Sequence, residues 1–192
     1  MHFKFFYQNS RLLLFGIIMS FTSSFGQTFF ISLFGPSIQF EYGLSHTSWG
    51  TIYLIGTLLS AIILTYSGSL IDYYRLNFYT YFSVIALVFS CFFISIVSGY
   101  FFLIFAVFLL RQTGQGLTSH ISVTTMARYF SEKRGTAIAI GSLGMAIGEA
   151  ILPFIVIILI SLIGWRLTYL SSSIFIIFCL FPVIILLLNG YK

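Results

Sequence analysis

The sequence predicts an all-α, polytopic membrane protein: a single six-helix transmembrane domain covering residues 1–192. Three observations predict it. The chain is 59% hydrophobic and 7% charged, far from the balance of a soluble globular protein. Six apolar segments each supply the run of about 20 residues that a helix rising about 1.5 Å per residue needs to cross a bilayer. The connections between them are so short that consecutive helices must run antiparallel, and no soluble domain fits between them.

The first span is placed at about 12–34. Lys4 and Arg11 precede it as they would precede a signal peptide. The apolar run is too long for a signal core, and no cleavage site stands before Gly35-Pro36, so the segment is read as a retained span. The second and third spans are placed at about 48–71 and 78–98, joined through Asp72 to Asn77. The fourth, about 101–128, follows Gly99-Tyr100. The fifth, about 135–160, follows Tyr129 to Arg134, and the sixth, about 166–188, follows Leu162 to Trp165.

Lys and Arg are distributed unequally between the two ends of this bundle. Lys4, Arg11, Arg75, Arg128, Lys133, Arg134 and Lys192 gather at one end, and Arg166 alone lies at the other. The positive-inside rule makes the first end, with both termini, cytoplasmic. Trp49 and Trp165 fall at the outer ends, where an indole bridges headgroups and tails. The net charge of +5 does not indicate a nucleic-acid partner, because the cations form no run that tracks a phosphate backbone. Cys91 and Cys179 lie in apolar runs without metal or disulfide spacing, and neither a metal nor a cofactor is expected.

Polar residues inside the spans carry the functional signal. Ser20, Ser23, Ser24, Gln27 and Thr28 fall at helical offsets 0, 3, 4, 7 and 8, a single stripe that must face protein or a wet cavity. Arg111, Gln115, Thr118 and Ser122 do likewise in the fourth span, at offsets 0, 4, 7 and 11, widened by Gln112, Ser119 and His120. Two such stripes suggest a hydrophilic path. In the fifth span Ala137, Gly141, Gly144 and Gly148 form a ridge of small residues, read either as close helix packing or as a thin, mobile interface.

Arg111 and Glu149 are the costliest residues, at about 2.5–3.5 kcal/mol each at the bilayer centre, so each calls for a partner or water. Counted from the inner ends of their helices, Arg111 lies about 27 Å deep, Glu149 about 21 Å and His120 about 14 Å. Two readings stand. Arg111 and Glu149 form a structural ion pair. Alternatively, Arg111 binds an anionic substrate group while Glu149 or His120 carries a proton.

Gly68-Ser69-Leu70-Ile71-Asp72-Tyr73-Tyr74-Arg75 resembles the loop after the second helix of the major facilitator superfamily, with Gly68 and Asp72 in register and Tyr73 at the first basic place. Arg111-Gln112-Thr113-Gly114-Gln115-Gly116 resembles that family's Arg-Gly element in helix four. Arg128-Tyr129-Phe130-Ser131-Glu132-Lys133-Arg134-Gly135 is similar to its loop before helix five. Gly135, Gly144 and Gly148 follow the glycine spacing of its antiporter motif, with Glu149 where that motif has Pro and without its closing Gly pair. Phe25 to Phe30 and Trp49 to Tyr53 resemble a bacterial branch of these carriers.

The resemblance implies a secondary carrier in a bacterial inner membrane, working by alternating access, with helices one and four walling the cavity. Its pathway would include Arg111, Gln115, His120, Glu149, Gln27 and Ser24. Gly68, Asp72, Arg75, Arg128 and Arg134 would form its cytoplasmic gating loops, Asp72 pairing with Arg75, Arg128 or Arg134. The implied partners are the lipid bilayer, a small-molecule substrate and a coupling proton or ion. Because the family has twelve helices or more, six imply an N-terminal half, a truncated or split product. A half that pairs with itself or with a separate second half ranks behind that, and a non-transporting scaffold behind both. An intramembrane serine protease is disfavoured: Gly141-Ser142-Leu143-Gly144 has its Ser one place early, and the last two spans contain no His.

Overall fold

The computed structural model describes residues 9–190, so Lys4 and Lys192, counted above for orientation, lie outside the described residues. The described chain is helical nearly throughout, with five continuous segments long and apolar enough to cross a membrane: Ser10–Tyr42, His46–Asp72, Leu76–Ile96, Tyr100–Tyr129 and Ser131–Leu188. The last is a single run of 58 residues where two spans were expected. At about 1.5 Å per residue it would measure about 87 Å, against a hydrocarbon core of about 30 Å. It turns back on itself at Gly164, whose φ of 79° and ψ of 164° leave the helical region.

The contacts on either side of Gly164 prove the reversal. Before it, Gly141, Gly144 and Gly148 climb beside Gly16, Ile17 and Ser24. After it, Trp165 meets Glu41, Phe175 meets Phe25, and Leu187 meets Arg11, descending the same first helix. The run therefore makes two antiparallel passes, and the expected four-residue link shrinks to one glycine that supplies a positive φ. In chain order these are referred to below as passes one to six.

Pass one departs most from expectation. It continues well beyond 34, through Gly35-Pro36, to a left-handed cap at Gly43. Pro36 is exposed inside the helix and forfeits one backbone bond without stopping it. Gly35 is a packing residue, because a Cβ there would stand 3.1 Å from Nε1 of Trp49 in pass two. The interruption lies at mid-pass instead. Helix Ser10–Ser23 tightens into a 3-10 turn over Ser24–Gly26, Gln27 is extended (φ −77°, ψ 156°), and a second helix runs Thr28–Tyr42. The polar stripe is thus two short arcs, and Ser23 spends its hydroxyl on Ser20 O at 2.7 Å.

Pass one is the hub of the bundle. Its first half packs on passes four and five through glycine. A Cβ on Gly144 would collide with the carbonyl of Ile17, one on Gly148 with Ser24 Oγ, and one on Gly16 with Met126 Sδ. Its second half packs on pass six through rings: Phe34 stacks on Tyr169 at 3.9 Å, and Phe30 meets the same ring edge-on at 6.0 Å. Arg11 ties its beginning to the end of pass six, donating to Leu187 O (3.0 Å), Leu186 O (2.6 Å) and Asn189 O, and so caps that helix's unsatisfied carbonyls.

At the Trp165 end a network missed by the sequence reading, which placed Glu41 in a loop, locks passes one, three and six together. Trp165 Nε1 donates to Glu41 Oε2 at 2.6 Å, and Arg166 Nη2 donates to Oε1 at 2.7 Å and to Tyr42 OH at 2.8 Å. Arg166 Nη1 reaches Ser95 O at 3.0 Å, and Tyr42 OH donates to Val97 O at 2.7 Å. Glu41→Gln removes one charge from this partly exposed network. It is expected to cost about 1 kcal/mol, read as a lowered unfolding temperature in detergent.

Candidate functional site

Mid-bundle, two irregular segments cross. The interruption of pass one at Gly26-Gln27 meets a π-helical stretch of pass four, Arg111–Thr118. Their backbones touch: a Cβ on Gly114 would sit 2.5 Å from Gly26 Cα, and one on Gly26 would strike Leu110 O. The sequence RQTGQGLT, with two glycines and two threonines, holds an α-helix weakly and accommodates the wider turn. Non-helical backbone at this depth occurs where protein or water surrounds it.

The π-turn breaks the α-periodicity from which a continuous stripe in pass four was expected. Thr118 turns inward and donates to Gly114 O at 2.6 Å, and Ser122 donates to Gly16 O at 2.8 Å, so both serve packing. Gln112 is buried between Ser60 Oγ (3.1 Å) and Ser67 Oγ (2.7 Å) of pass two, and Thr113 shares a hydrogen bond with Ser90 of pass three. Arg111 and Gln115 remain toward an opening between passes two and four.

Arg111 is 8% exposed. Its Nη1 donates to Thr28 Oγ1 at 3.1 Å and to Gly26 O at 3.4 Å, bracketing the interruption, and its guanidinium lies 5.6 Å from the Tyr53 ring. Tyr53 OH in turn donates to Thr28 Oγ1 at 2.9 Å. A guanidinium carries five N–H donors, and among the described residues only Nη1 of Arg111 has a protein acceptor. Arg111 lines a cavity of about 180 Å³ together with Thr57, Ser60, Ala61, Leu64, Gln115 and Gly116. Thr57 Oγ1 has no partner among the described residues, nor does Ser24 Oγ in the turn of pass one. Gln27 is half-buried at the interruption itself.

Glu149 does not meet Arg111 or His120, and the expected ion pair is absent among the described residues. The reason is rotational. Gly148 takes the contact with Ser24, which turns the next residue outward, and Glu149 is exposed at the depth of the interruption. His120 faces pass two, within 3.4 Å of Thr124 Oγ1 and beside Gly68, where a Cβ would lie 3.7 Å from its ring.

At the Asp72 end, Asp72 pairs with Arg128, whose Nη1 also donates to Ile71 O at 3.3 Å, so passes two and four are clasped. Arg134 donates to Ala127 O at 3.1 Å, and Arg75 is exposed at the head of pass three. Of the three cations expected to compete for Asp72, the geometry selects Arg128. An exposed pair contributes about 1 kcal/mol or less. Asp72→Asn is therefore expected to leave thermal stability nearly unchanged, read as the unfolding temperature in detergent.

The sequence model of the Major Facilitator Superfamily matches residues 15–191, from the middle of the first helix to beyond the last. No curated protein matches the chain.

Proposed function

Because the chain belongs to the major facilitator superfamily, a transporter family, we propose that this multi-pass membrane protein and secondary transporter carries a small organic anion by alternating access. One observation carries the reading: Arg111, deep in the bundle, lines a cavity beside the crossing of two irregular helices, and only one of its guanidinium nitrogens has an acceptor among the described residues. Broken helices at the midplane are where carriers place their substrate sites, and a guanidinium suits a carboxylate or phosphate. Gln115 and Gln27 supply neutral hydrogen-bonding groups beside it, and Ser24 and Thr57 hold hydroxyls in reserve. Uptake of a panel of organic anions by the parent and by Arg111→Ala in a complete transporter tests this, and equal uptake removes Arg111 from the binding role.

Glu149 is the proposed site of a coupling proton, since an exposed carboxylate at that depth is stable in the bilayer only when neutral or covered. His120, in a pocket beside the Asp72 clasp, is the second candidate on the pathway. Identical pH profiles of uptake for the parent and Glu149→Gln exclude Glu149. Gln115 and Glu149 both need cover, which supports a second six-helix unit packed against this one in the working carrier, the present chain being the N-terminal half. Crosslinking in membranes with and without a co-expressed second half separates that arrangement from self-association. The Asp72 end carries Arg11, Arg75, Arg128, Lys133 and Arg134 against Arg166 opposite, so it is the proposed cytoplasmic end, in a bacterial inner membrane.

A further inference from the structure

A pocket of about 530 Å³ opens at the Asp72 end between passes two, three and four, away from Arg111. Its polar walls include Asp72, Tyr74, Arg75, Thr125 and Arg128. Two features ask for a ligand. Thr125 lines the pocket and is 1% exposed, and its buried hydroxyl has no partner among the described residues. Arg75 is exposed at the rim and makes no contact with an acceptor among the described residues. The one carboxylate facing the pocket, Asp72, is neutralised by Arg128, which leaves Arg75 as the uncompensated charge.

Below the pocket, toward the membrane interior, Phe78, Phe82, Ile85 and Phe89 stand exposed in line along pass three, the first of them 5.7 Å from the Tyr74 ring. A cationic pocket at the water boundary that continues into an apolar track has the shape of a phospholipid. We propose that this pocket binds the phosphate of an anionic phospholipid, with Arg75 and the Thr125 hydroxyl donating to its oxygens and an acyl chain lying along Phe78, Phe82, Ile85 and Phe89. The apolar track distinguishes a lipid from free phosphate, which has no use for it. The assignment rests on the membrane fold alone and stands whatever the carrier moves.

The test is native mass spectrometry of the full chain in mild detergent, titrated with phosphatidylglycerol, phosphatidylcholine or inorganic phosphate. Saturable phosphatidylglycerol adducts are expected, with phosphatidylcholine binding more weakly. Arg75→Gln should weaken phosphatidylglycerol binding about fivefold, and Thr125→Val should also weaken it, whereas Lys133→Gln, an equal loss of charge at the same end, should not. Thermal unfolding of each variant verifies that it is folded. Parent-like phosphatidylglycerol binding by both pocket variants overturns the proposal. So does equal weakening in Lys133→Gln, which would mark a general surface field. Displacement of the lipid by millimolar inorganic phosphate would assign the pocket to free phosphate instead.

Discussion

Replacing Arg111 by alanine is expected to reduce anion uptake on the order of a hundredfold while the bundle still folds. Charge-assisted hydrogen bonds to a ligand contribute about 1.5–3 kcal/mol, and each 1.4 kcal/mol is a factor of ten in affinity. The bonds that Arg111 makes within the protein, to Thr28 Oγ1 and the carbonyl of Gly26, are long and come from one nitrogen. Losing them costs little beside the loss of the ligand contact proposed for the guanidinium. Arg111→Lys keeps the charge but not the planar fork, and it should recover only part of the uptake. Concentration-dependent uptake in vesicles measures both, and the loss should appear in the apparent affinity for anions more than for neutral solutes.

The second large effect concerns the crossing itself. Gly114→Ala is expected to destabilise the bundle by about 1–3 kcal/mol, because its methyl group meets backbone rather than a flexible side chain. The nearest atoms are Gly26 Cα and N, at 2.5 and 2.6 Å, and neither can move without reopening passes one and four. Gly135→Ala is the control. It lies in a helix, a Cβ there meets nothing within 4 Å, and helix propensity favours alanine. It should leave stability unchanged or raise it slightly. Unfolding in mixed micelles measures both variants.

Much of this was legible in the sequence, and the misreadings share one cause. Apolar length marked an all-α bundle of long helices, and the glycine spacing of pass five marked residues that lie against pass one. The polar stripes were drawn on ideal α-helices. Gln27 leaves the helix, and Arg111–Thr118 winds with an extra residue per turn, so residues thought to share a face separate: Thr118 and Ser122 turn to packing, Gln115 to the opening. Glu149 could not be paired from sequence, because which side of pass five meets pass one depends on Gly148 touching Ser24. Gly35-Pro36 looked like a stop because both residues disfavour helix in water. Inside a span, Pro36 faces outward and Gly35 receives Trp49, and the helix continues to Tyr42. Arg11 looked like an orientation signal and also caps pass six, a role that only the folded bundle reveals.

The most direct measurement of the central claim is thiol labelling of Gln115→Cys, in a background with Cys91 and Cys179 replaced by serine, in membranes that contain a complete transporter. Gln115 is the exposed neighbour of Arg111 at the crossing, so an alternating-access cavity there must admit water. The account predicts modification by a membrane-impermeant maleimide, slowed by a transported anion, with the slowing lost when Arg111 is also replaced by alanine. Absence of modification from either side of the membrane would contradict it, as would labelling that no anion alters.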